Sequence, residues 1–151
     1  MKNFKNAIVN GSLLSVLISC FVIFIGVVQV VAKDNCLKIY PNPKIKFDHQ
    51  DAAGLLYIQV VNWRAYDNAM FRRAPDLPPC GANKNSARTW VDIYNAAATN
   101  ASIYGFCSFV SNNNLKGIWF KSSAPKGKGR VYIVMNDRAC KKNYKSNVVS
   151  F

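Results

Sequence analysis

Two hydrophobic patterns divide the chain. From Asn6 to Ala32 no side chain is charged and residues 13–28 are almost wholly apolar, whereas beyond Lys33 the apolar positions fall into short alternating runs separated by turn residues. An unbroken apolar run of this length enters a bilayer, and alternation puts one face of a strand on a core and the other in water. Residues 1–32 are therefore expected to be a hydrophobic leader helix, and residues 33–151 a single domain built from strands.

Within that domain, Pro41-Asn42-Pro43 rules out helix and leads into residues 44–48, where Ile45 and Phe47 alternate with polar neighbours as in a half-buried edge strand. Residues 55–63 are apolar on both faces, with Leu56, Ile58 and Val60 on one and Leu55, Tyr57, Val61 and Trp63 on the other, which suits a central strand. Periodicity then stops over residues 64–86, a loop rich in proline (Pro75, Pro78, Pro79) with room for one helical turn at 66–71. Alternation returns at 88–95, 102–109, 115–120, 131–136 and 142–150. Six or seven strands without a long segment of helical period predict an all-β fold. An antiparallel β-sandwich of about seven strands, immunoglobulin- or fibronectin-like, is the first expectation, and a small barrel the alternative.

The leader admits three fates. Lys2 and Lys5 followed by the apolar run and Val30-Val31-Ala32 fit a secretory signal cut before Lys33. As a helix the uncharged run would reach roughly 40 Å, so an uncleaved anchor holding the protein in the membrane through residues 8–32 also fits. Leu17-Ile18-Ser19-Cys20 resembles a lipobox, although apolar residues continue beyond it. In each case the positive end stays inside and residues 33–151 are exported, to be periplasmic, secreted or anchored facing outside the cytoplasm.

Charge and cysteine use refine the picture. Of 20 Lys and Arg against seven acids, all Asp, only Lys2 and Lys5 belong to the leader, so the formal +13 becomes +11 for the exported part. This excess favours an anionic partner such as an envelope polymer, or simply keeps the surface solvated. No basic run is long or aromatic-interleaved enough to specify nucleic acid. Outside the leader stand Cys36, Cys80, Cys107 and Cys140, an even count that reads as two disulfides in an oxidising compartment, with three connectivities possible. The expected arrangement ties the long loop to a core strand through Cys80 and Cys107, leaving Cys36 with Cys140 by elimination. With no closely spaced cysteines and His49 as the only histidine, neither a metal site nor a cofactor is expected.

The segments Asn62-Trp63-Arg64-Ala65-Tyr66, Ala74-Pro75-Asp76-Leu77-Pro78-Pro79-Cys80-Gly81, Arg88-Thr89-Trp90-Val91-Asp92-Ile93-Tyr94 and Tyr104-Gly105-Phe106-Cys107, continued by Ile118-Trp119-Phe120 and Val131-Tyr132-Ile133-Val134, resemble a family of small secreted bacterial proteins with no assigned function. The resemblance covers about residues 55–147. It implies a compact β domain in which Cys80 and Cys107 belong together, and it names no substrate or catalytic residue.

Candidate chemistry is sparse. His49, in Asp48-His49-Gln50-Asp51, reads as a solvated turn histidine, and one histidine cannot serve as both general acid and general base. A hydrolase would have to use Asp67 with Asp76 or Asp92 around the 64–86 loop. The stronger expectation is a non-catalytic binding module of the cell envelope, meeting a protein or an anionic polymer. Tyr66 and Phe71 beside Arg72 and Arg73 have the composition of a binding hot spot, or else fold back to complete the core. Lys126, Lys128 and Arg130 form a cationic loop that either meets the same polymer or keeps a hairpin soluble. Trp63, Trp90 and Trp119 are expected in the core, with a sugar-stacking role as the alternative. A third possibility is a structural envelope component tethered by an uncleaved leader.

Overall fold

A computed structural model describes residues 36–80, 86–107, 111–122 and 129–151, without side-chain placement for 99–101. The leader, Lys126 and Lys128 lie outside the described residues. Among those described, eight strands form two antiparallel sheets. They are β1 (Ile45–Gln50), β2 (Leu55–Val60), β3 (Thr89–Asn95), β4 (Ala98–Phe106), β5 (Ile118–Lys121), β6 (Arg130–Asp137), β7 (Lys142–Lys145) and β8 (Val149–Ser150). The smaller sheet has the order β1-β2-β5; the larger runs β4-β3-β6-β7, with β8 also paired to β6. Three short 3-10 helices, Trp63–Ala65, Asn68–Phe71 and Asn112–Lys116, lie in the connections.

Alternation places the core. Leu56, Ile58 and Val60 of β2, Ile118 and Phe120 of β5, Val91 and Ile93 of β3, and Val131, Ile133 and Met135 of β6 are all buried and belong to one cluster that both sheets share. Burying side chains of this size contributes about 1.5–3 kcal/mol each, the main term holding the sheets together. Trp119 departs from the expected pattern. It faces outward on β5 and is 44% exposed, because Ile118 and Phe120 take the two inward positions of that four-residue strand.

The end of the chain differs from the expected single strand. Between β7 and β8 the Ser146 backbone N–H donates to the Ile133 carbonyl (2.9 Å), while the Ser146 hydroxyl accepts from the Ile133 N–H (2.9 Å). A hydroxyl thus replaces a backbone carbonyl in the ladder, and the strand breaks there. The neighbouring Asn147 side chain turns to the other sheet. Its Oδ1 accepts from the Ile45 N–H (2.7 Å) and its Nδ2 donates to the Ile45 carbonyl (3.0 Å), so one amide answers both backbone groups at the start of β1. At the far end Phe151 is buried, 6.1 Å from Phe47 and 5.9 Å from Phe120 between ring centres, and a side chain at Gly129 would collide with it.

Both cysteine pairs stand at disulfide distance, Cys36 with Cys140 (Cα–Cα 5.3 Å) and Cys80 with Cys107 (5.7 Å). The strand registers bring residues 36–44, 61–80, 86–88, 111–117 and 138–141 to one end of the sheets, where these links, the 3-10 helices and a buried ion pair gather. In that pair Arg88 donates to both carboxylate oxygens of Asp137, Nε at 2.8 Å and Nη2 at 2.6 Å, with both residues at most 3% exposed. Among the described residues, the opposite end carries a tight turn through Gly54, whose φ of +80° suits the residue that lacks a Cβ.

Candidate functional site

The 64–86 loop does not present its aromatics. Tyr66, Met70 and Phe71 are all at most 1% exposed and extend the core, and the Tyr66 hydroxyl donates to the Pro41 carbonyl at 2.8 Å. Residues 63–71 form two 3-10 turns, a geometry that can bury side chains without the regular spacing that marks a strand. Burial drives the Tyr66 hydroxyl pKa far above its ordinary value. Tyr40 packs against Tyr66 (5.8 Å) and Tyr144 (6.0 Å); its pKa is pushed up to about 12 by burial and by its hydrogen bond to Asp67. The Lys38 ammonium at 2.6 Å, together with Tyr40, holds the Asp67 carboxyl below the usual range.

The loop's arginines are likewise employed locally. The stretch 72–74 runs beside 86–88 through Arg88 N–H to Arg72 carbonyl (3.0 Å), Ala74 N–H to Ser86 carbonyl (2.7 Å) and a bridge between Arg73 and Ala87. Arg72 Nη1 donates to the Arg73 carbonyl (2.7 Å) and faces Asp76 at 3.9 Å, while the Arg73 side chain is exposed. Arg130 is exposed at the start of β6, paired in register with Ser150. The expected cluster of Tyr66, Phe71, Arg72 and Arg73 is therefore divided between core and surface.

The three aspartates considered for hydrolysis have three separate settings. Asp67 is held by Lys38 and Tyr40, Asp76 faces Arg72, and Asp92 accepts from the Trp90 indole N–H and from Asn136 Nδ2 (3.0 Å) on the outer face of β3. His49 lies on β1 rather than in a turn, with its ring stacked on Tyr57 (4.4 Å) and Asp48 2.8 Å away.

Cations do converge elsewhere. Trp63, half-buried against the core, carries the Lys116 ammonium 4.2 Å and the Arg64 guanidinium 4.6 Å from its ring centre. Each such contact contributes about 0.5–1 kcal/mol and fixes a charge that would otherwise swing freely. Lys116 is placed by the helix Asn112–Lys116, which Ser111 and Asn114 cap reciprocally. Asn112 fastens that helix to the loop twice, its Nδ2 donating to the Tyr66 carbonyl (2.7 Å) and its backbone N–H donating to Asn68 Oδ1 (3.0 Å). Beside Trp63 lies a shallow groove of about 340 Å³ lined by Lys46, Gln59, Val61 and Lys116. A second open groove of about 530 Å³, between Pro41 to Ile45 and Lys145 to Asn147, is lined by Lys44 and Lys145. Lys145 is itself set 4.3 Å over the Tyr132 ring. Lys44 and Lys46, on either side of Ile45, line one groove each, so the two adjoin at the start of β1. Among the described residues, no aspartate lines either groove.

Sequence reasoning missed this site because its five cations, Lys44, Lys46, Arg64, Lys116 and Lys145, come from four separate stretches of chain. The only local signal was the pair of lysines flanking Ile45. No protein-family model, curated protein or solved structure matches this chain.

Proposed function

We propose that residues 33–151 form an exported, immunoglobulin- or fibronectin-like β-sandwich that binds an anionic polymer of the cell envelope along the two basic grooves, without chemistry on it. The strand order supports the sandwich. With β1 to β7 lettered in chain order as A, B, C, C′, E, F and G, and β8 continuing G along β6, the sheets read A-B-E and C′-C-F-G, the immunoglobulin arrangement without strand D and with one strand added beside C. The likeness to small secreted bacterial proteins belongs to the same reading. The observation that carries the binding role is the set of cations held on aromatic rings, Arg64 and Lys116 on Trp63 and Lys145 on Tyr132, around grooves that no carboxylate lines among the described residues. Fixed charge on a rigid sheet pays little ordering cost when a polyanion arrives.

The full chain is tested against polyphosphate, with a neutral polysaccharide as control. Replacing Lys46, Arg64 and Lys116 together by Gln is expected to weaken polyphosphate binding about tenfold, three exposed contacts of a few tenths to 1 kcal/mol each. The same change at Arg73, Lys121 and Lys141, three exposed cations that line neither groove, serves as a control for total charge. Equal losses from the two sets would mean that net charge alone governs binding, and that outcome overturns the grooves as the site.

A further inference from the structure

The outward face of the smaller sheet carries a feature that the basic grooves do not use. On β2 the outward positions are Leu55, Tyr57 and Gln59, alternating with the buried Leu56, Ile58 and Val60. Register places Tyr57 between His49 of β1 and Trp119 of β5, so three rings stand in one row across all three strands. His49 owes its place to the bulge on β1. Phe47 pairs with the inward Ile58, Asp48 is the extra residue, and the strand resumes with His49 opposite Tyr57, where strict alternation would have put Asp48.

The row is exposed and braced. The His49 ring stacks on Tyr57 at 4.4 Å with planes 7° apart, and its side chain is 55% exposed. Trp119, 44% exposed, rests against Tyr104 (5.7 Å) and Phe106 (6.1 Å) of β4. Two carboxylates border the row. Asp48 lies 2.8 Å from His49 Nδ1, and Asp51 accepts from the Tyr57 hydroxyl at 3.3 Å. Next along β2 comes Gln59, paired with Lys46, and both line the basic groove beside Trp63. Row and groove are therefore neighbours on one face, about 7 Å apart along the strand.

We propose that the occupant of this face is an acidic glycan, a chain of sugar rings bearing scattered anionic groups. An anionic group lies among Lys46, Arg64 and Lys116, while a neighbouring uncharged ring rests on the row of His49, Tyr57 and Trp119. This rests on the groove reading above and deepens it by naming the class of polymer. Charge complementarity selects that class. The groove end of the face offers cations, whereas the row offers aromatic rings and two carboxylates, which repel an unbroken run of negative charge and accept hydrogen bonds from hydroxyl groups. A sugar ring meets both demands, with C–H groups to set against an aromatic ring and O–H groups at its rim. Polyphosphate has no ring and no run of donors to offer the row. Lys121, outward at the end of β5, lies past Trp119 and adds one cation beyond it.

The full chain is titrated with a partly carboxymethylated β-glucan and, separately, with polyphosphate. Trp119→Ala is expected to weaken glucan binding about fivefold and His49→Ala about threefold, with polyphosphate binding unchanged, and Trp119→Phe to restore most of the loss. Gln at Lys46, Arg64 and Lys116 together is expected to weaken both ligands. High salt should sharply weaken polyphosphate binding yet leave a part of glucan binding that disappears in Trp119→Ala, because screening acts on charge and not on stacking. Ring variants that change neither ligand, or both alike, while circular dichroism shows the fold intact, would overturn the row as a sugar site and leave the groove standing. So would a glucan that fails to bind where polyphosphate binds normally. Glucan binding indifferent to the three cations would overturn the joint site. Equal losses of polyphosphate binding from the groove and control sets would instead remove the groove reading itself.

Discussion

The two ends of this domain are held by different means. At the end where residues 36–44, 61–80, 86–88, 111–117 and 138–141 gather, the longest connection exceeds what backbone turns can fix, and order comes from long-range locks. These are Cys36 with Cys140, Cys80 with Cys107, the Arg88–Asp137 pair and the Tyr40, Tyr66 and Tyr144 cluster. At the opposite end a turn such as Asp51–Gly54 is closed by local bonds, Gly54 N–H to Asp51 carbonyl (3.1 Å) and Leu55 N–H to Asp51 Oδ1 (2.8 Å), and one ring, Phe151, fills the space between the sheets. The contrast teaches that loop length decides the kind of interaction required. Short connections leave little entropy to overcome, whereas long ones need contacts between residues far apart in sequence.

Breaking one element at each end gives the sharpest comparison. Asp137→Ala is expected to cost about 3–5 kcal/mol in denaturant unfolding, because it strands the Arg88 guanidinium in the interior. A cost below that of the opposite-end variant would show that the loop-bearing end does not depend on this pair. Phe151→Ala should cost about 3 kcal/mol, at the low end for a core aromatic because the residue keeps 9% of its surface in solvent. It should leave polyphosphate binding intact, since Phe151 lines neither groove.

The smallest effect concerns protons. Tyr40 carries a pKa raised from 10 to about 12 in the folded state, so the stability it contributes is fully present below pH 10 and is lost as pH rises towards 12. Tyr40→Phe should remove that alkaline decline and one late step from the ultraviolet titration of the tyrosinates. Asp67 behaves with the opposite sign. Its lowered pKa gives stability that is present above the ordinary carboxyl value of 3.8 and disappears as pH falls below it. The contribution is small, because both partners of its ion pair with Lys38 are about half exposed.

Regular strands were the legible part of the sequence. The alternation of Leu56, Ile58 and Val60 and of Val131, Ile133 and Met135 reports directly which side chains face the core, since a strand repeats every two residues. Interruptions were not legible. Leu115, expected at the start of a strand, is buried in a 3-10 helix whose reciprocal Ser111 and Asn114 cap has the form of a turn in sequence. Residues 142–150 split into two strands because a single hydroxyl, that of Ser146, takes the place of a carbonyl, and no hydrophobic period registers that exchange. The grooves were still less visible. Trp63 reads as another inward strand position, but the chain turns at Asn62 and sets its ring beneath two cations instead.

The Cys36–Cys140 link also determines how the domain would bear a load. Tension applied to the polypeptide ahead of Cys36 crosses a covalent bond into the β6–β7 turn before it can reach β1. Pulling from that side therefore grips the central strand of the larger sheet and leaves the outermost strand of the smaller one slack, so the fold would not unzip from its first strand.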